Sequence, residues 1–194
     1  MVRPSSRTVA IAAVVLIPLA IWGWIQRSAR LETQRRAAAA AQLITGRPVQ
    51  VRCPGVIRRH FEYDINDGEV RFGPDGLPGN VADLAGAPCD GLHRLISEGA
   101  ALDLSCLQLD ACSAQDTRVA LGVVVLTHEA VHLSGIADEA LTECRAVQRS
   151  PRVAMALGAT AQTAAYIQDW QFSVADDRLP DRYQTPGGCK LDGG

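Results

Sequence analysis

Residues 117–144 read "TRVALGVVVLTHEAVHLSGIADEALTEC". The first half is an apolar run that Asp116 or Thr117 can cap and that Gly135 can stop in a left-handed turn, so a helix buried on most sides is expected. Asp138 is placed to cap a second helix beginning "EALTECRAVQR". His128 and His132 stand four apart, so on a helix they share one face and both rings can reach one metal ion. Glu129 points beside that position, where it can accept a proton from water. Two histidines and a glutamate near a buried face are costly unless paired or metal-bound, which weighs against a merely packed or solvated pair.

His128-Glu129-x-x-His132 resembles the active-site helix of the zincin metallopeptidases over about twenty residues. The resemblance implies Zn2+ on His128 and His132, Glu129 as general base, and a third protein ligand downstream. Three acids compete for that place. The metzincin pattern would take Asp138, but the internal Met155 lies in a helical context rather than a methionine turn, and Asp138 is well explained as a cap. The gluzincin arrangement would take Glu139 as ligand, with Glu143 orienting a histidine. Geometry favours the other choice. A tight turn between Ile136 and Ala137 sets Glu143 midway between the two histidines and Glu139 about 6 Å further along the axis, which ranks Glu143 first, Glu139 second and Asp138 last. Cys144 is expected in a disulfide, with Cys189 as a partner that would lash the tail over the site. His60 and His93 read as surface residues. Tyr166, Tyr183 and His93 are the candidates for the oxyanion-stabilising role that the resemblance implies.

Outward from the motif, "HFEYDINDGEVRFG" alternates Phe61, Tyr63 and Ile65, turns at Asn66-Asp67-Gly68 and returns through Val70 and Phe72 as a β-hairpin. "PVQVRC" before it offers a further strand. Residues 73–91 read as loop held by Cys89, with a short helix over 91–99. Ser150-Pro151 reads as a cap and first position of a separate helix ending by Gly158, and another helix follows over 160–177. The class is α+β: an N-terminal membrane helix, and a small antiparallel sheet packed on a helical core that carries the motif helix.

The domain reading is a membrane anchor with a short tail over 1–26, a juxtamembrane helix or linker over 27–46, and the disulfide-bonded, zincin-like domain over 47–194. Residues 9–25, "VAIAAVVLIPLAIWGWI", carry no charge and lie near the lower length limit for a bilayer span. Trp22 and Trp24 suit the interface and favour an uncleaved anchor over a cleaved signal. Arg27, Arg30, Arg35 and Arg36 taken alone would place the domain in the cytoplasm. The six cysteines, all after the apolar run and without C-x-x-C spacing, point instead to three disulfides in an oxidising compartment. No basic patch with interleaved aromatics exists, which excludes nucleic acid as a partner. The expectation is a membrane-anchored, extracytoplasmic zinc metallopeptidase acting on a peptide or protein substrate. Its alternative is a non-catalytic envelope or interaction module with a structural metal or none.

Overall fold

The computed structural model describes residues 6–55, 67–177, 180–184 and 189, with side chains for all of these except residues 6–16, 19, 175–177 and 181. The chain divides into two units, Met1–Glu32 and Thr33–Gly194. Helix α1 (Ser6–Thr45) carries Pro18 within it. In the first unit Ile17, Ile21, Trp22, Trp24 and Ile25 are all more than half exposed. The segment expected to cross a membrane is thus helical. Among the described residues, however, no helix is long and apolar enough to do so.

The second unit begins within α1, whose Ala37, Ala40 and Ala41 are buried in its core. Three strands follow: β1 (Gln50–Arg52), β2 (Gly68–Phe72) and β3 (Pro78–Leu84). Their order is β1-β3-β2. β2 and β3 are antiparallel, with Val70 opposite Ala82, whereas β1 runs parallel to β3, with Val51 opposite Ala82. The sheet is therefore mixed rather than antiparallel, because alternation along a strand encodes its faces and not the direction of its neighbour. The hairpin arm at Phe61, Tyr63 and Ile65 lies outside the described residues, and the described partner of β2 is β3.

The stretch expected as loop instead supplies β3 and the start of helix α2 (Gly86–Glu98). Its prolines mislead because of where they fall. Pro78 is the first residue of a strand, and Pro88 sits in the first helical turn, where a backbone N–H has no helical partner. A disulfide joins Cys53, just past β1, to Cys89 in that turn.

Helix α3 (Ala114–Leu133) carries the motif. Its cap is Ser113, whose Oγ accepts from the Asp116 N–H at 3.2 Å, so the helix opens before the expected Asp116. Arg94 on α2 is bonded to Asp116 at 2.7 Å. α2 and α3 meet backbone to backbone: a Cβ on Gly91 would stand 1.8 Å from the Arg118 carbonyl oxygen, and one on Gly122 would stand 2.6 Å from that of Pro88. Gly91→Ala is expected to force the helices apart at a cost of about 3 kcal/mol, the upper end for an overpacked core. A urea titration would read this as a lower midpoint at unchanged slope, and an unmoved midpoint would show that the helices separate freely.

Helix α4 (Glu139–Leu157) runs unbroken through Pro151, where a helix start was expected. Proline at 151 frees the Val147 carbonyl four residues back. Ser150 Oγ (3.2 Å) and Gln168 Nε2 (2.9 Å) donate to that oxygen, so the helix continues without an orphan. Gly158, at φ 115°, ends α4, and α5 (Ala161–Asp177) follows as expected, with Thr160 Oγ1 accepting from the Thr163 N–H at 3.0 Å. A second disulfide, Cys106–Cys112, precedes α3, and a third, Cys144–Cys189, ties α4 to the tail.

Candidate metal centre

The last two turns of α3 bring His128, Glu129 and His132 to a wall shared with α4. The connection to α4 is held by Gly135 at φ 106° and by Arg47, whose guanidinium donates to the Leu133 carbonyl at the end of α3 at 3.0 Å. Asp138 caps α4 as expected, accepting from the Leu141 N–H at 2.8 Å.

The two imidazoles are oriented by what touches their Nδ1 atoms. His132 Nδ1 lies 2.7 Å from the Ile136 carbonyl oxygen, and His128 Nδ1 lies 2.9 Å from Glu143 Oε2. Both partners only accept, so both Nδ1 atoms donate, and in the neutral rings each Nε2 keeps a lone pair. Those Nε2 atoms face each other at 3.0 Å. Glu139 Oε2 completes the triangle, 3.1 Å from His128 Nε2 and 3.4 Å from His132 Nε2. Three electron-pair donors turned on one point repel unless a cation stands among them. His128, His132 and Glu139 are the group able to hold a metal ion among the described residues.

The carboxylate at the two Nε2 atoms is therefore that of Glu139, whereas the tight-turn geometry favoured Glu143. The difference lies in the connection. α3 ends at Leu133 and α4 starts at Glu139, so residues 134–138 form an open five-residue link rather than the expected tight turn between Ile136 and Ala137. This carries Glu139 over the histidines and leaves Glu143 behind His128. Glu143 is 5% exposed, and its second oxygen accepts from Gln171 Nε2 of α5 at 3.0 Å.

Glu129 is also 5% exposed, and its Oε2 has no hydrogen-bond partner. Gly68 of β2 makes room for it, since a Cβ there would come within 2.6 Å of Glu129 Oε1. Burial pushes its pKa up to about 7 against the pull of His128, with Glu139 and Glu69 adding to the rise. Burial alone would lower the His128 pKa, but the bonds to Glu139 and Glu143 outweigh it and push the value up to about 9. The bond from His128 holds the Glu139 carboxyl below the usual range despite partial burial.

The group opens into a cleft of about 810 Å³ whose walls include β2, α3, α5 and the tail at Pro180, Arg182 and Tyr183. Cys144, next to Glu143, is bonded to Cys189, so the tail is tied beside the site. The Tyr183 ring lies 6.0 Å from the ring of His128, and the Arg182 guanidinium lies 4.8 Å from the Tyr183 ring centre. Of the oxyanion candidates, Tyr183 alone lines the cleft. Tyr166 bonds to Gln162 on the same helix, and His93 to Thr33. His60 lies outside the described residues. Gln171, Gly68 and Phe72, whose ring meets His132 edge-on at 6.0 Å, had no signal in the sequence.

The fold and site define an α+β domain with a His-His-Glu group at the floor of a cleft. No protein-family model, curated protein or solved structure matches the chain.

Proposed function

We propose that the domain is a zinc-dependent peptidase of the zincin kind, with His128, His132 and Glu139 holding the metal and Glu129 acting as general base. One observation carries this reading: two imidazole Nε2 atoms and a carboxylate oxygen converge at 3.0, 3.1 and 3.4 Å on the helix that carries Glu129, whose buried Oε2 has no hydrogen-bond partner. Ligands about 2.0–2.1 Å from a tetrahedral zinc lie about 3.3–3.4 Å apart, close to those separations. Bound there, zinc supplies a Lewis acid that makes water acidic near neutral pH. Glu129 Oε2 takes the proton from the attacking water and returns it to the leaving amine. Glu143 keeps the His128 Nδ1 proton in place, so that Nε2 presents its lone pair.

The cleft and the 37% exposure of the Glu139 side chain favour an open catalytic site over a closed structural one. Metal analysis of the purified chain, followed by a peptide-library digest with and without a chelator, tests the reading. One zinc per chain and chelator-sensitive hydrolysis are expected. A metal-free protein would remove every metal reading, whereas bound zinc without hydrolysis would leave the non-catalytic module. The reading extends to location: three disulfides fit an oxidising compartment, and the exposed Trp22 and Trp24 suit a tether at the membrane interface.

A further inference from the structure

We propose that Gln171 is a positioning residue for the metal centre: from α5 it fixes Glu143, which in turn fixes His128 with its Nε2 directed at the metal position. The inference rests on the metal-centre reading above. Gln171 is 2% exposed, and its Nε2 donates to Glu143 Oε1 at 3.0 Å. A carboxylate accepts and does not donate, so the amide can point only one way, and its Oε1 is left buried without a partner. An apolar side chain of similar shape would fill the space without that orphan. Packing is therefore poorly served by glutamine here, and the N–H directed at Glu143 is what glutamine adds.

The consequence for the site is geometric. Glu143 has three side-chain torsions, and its carboxylate plane is set by two bonds from different helices, His128 of α3 on one oxygen and Gln171 of α5 on the other. Without Gln171, Oε1 becomes a buried and unsatisfied acceptor. The carboxylate is then free to rotate, which loosens its grip on the His128 Nδ1–H. The ring of His128 loses the partner that aims it, and affinity for the metal falls.

Gln171→Met keeps the length and bulk of the side chain and removes the N–H. Zinc affinity is measured on the full chain by competition with a chromophoric chelator, and thermal melting is measured on the metal-free protein. The expected result is a roughly tenfold loss of zinc affinity, the lower end of what partners behind metal ligands contribute, in a variant that still melts cooperatively without metal. Unchanged affinity with a shifted melting temperature marks a packing role and overturns the proposal while leaving the metal centre standing. A wild-type chain that binds no zinc removes both. Gln171→Leu gives the same comparison should the methionine variant fail to fold. A double-mutant cycle with Glu143→Gln separates direct from relayed action: once residue 143 is changed, the Gln171 substitution is expected to cost less than about twofold further. A full tenfold loss in that background would show that Gln171 does not act through Glu143.

Discussion

A Glu129→Gln variant is expected to keep its zinc and lose peptide hydrolysis by about 10²–10⁴-fold, the usual contribution of a positioned base. The substitution is close to isosteric, so it fits the space that Gly68 leaves open. It leaves the three side chains that converge on the metal position, His128, His132 and Glu139, unsubstituted. It removes the ability to take up and return a proton, together with a charge that acts on His128. The same change should raise the stability of the metal-free protein near pH 8. The Glu129 pKa is pushed from 4.5 to about 7 in the fold, so the native state holds this proton more tightly than the unfolded chain. Stability is thus full below about 4.5 and is lost as pH rises through about 7. Glutamine carries no such penalty. A variant that melts at the same or higher temperature, binds zinc equally and hydrolyses nothing would place the cost of Glu129 in function. Hydrolysis equal to wild type would remove Glu129 from the chemistry and the peptidase reading with it.

The motif helix was legible because everything it needs is local: the four-residue spacing of His128 and His132, an apolar run and a glycine stop. Asp138 was legible as a cap for the same reason. The assignment of Glu139 and Glu143 was not, because it depends on the path of residues 134–138, and Gly135 signals that a turn occurs without fixing how far the next helix is carried. Pro151 shows a second kind of limit. Its helix-breaking signal is real, but the carbonyl it frees is satisfied by Ser150 and by Gln168 from another helix. Gln171 stands 28 residues from the Glu143 it holds, and only tertiary packing brings the two together. The parallel pairing of β1 with β3 is a similar case, since strand direction is settled by the topology around it.

The two acids on α4 should differ sharply when each is neutralised. Glu139→Gln replaces the carboxylate that faces both Nε2 atoms with an amide, so it takes away the negative charge at the proposed metal position and leaves at most a weaker, neutral oxygen ligand. Zinc affinity is expected to fall by more than the roughly 10–100-fold loss associated with partners that orient a ligand. Glu143→Gln is expected to fall within that range, because an amide oxygen can still accept from His128 Nδ1, although more weakly than a carboxylate does. Isothermal titration with zinc at fixed pH reads both values on one scale. The order of the two losses decides the assignment. A larger loss for Glu143 would mean that the connection after Gly135 tightens when metal binds, bringing that residue level with the histidines as a tight turn between Ile136 and Ala137 would require. A larger loss for Glu139 keeps the open connection and the division of labour it imposes, with one carboxylate on the metal and the other behind His128.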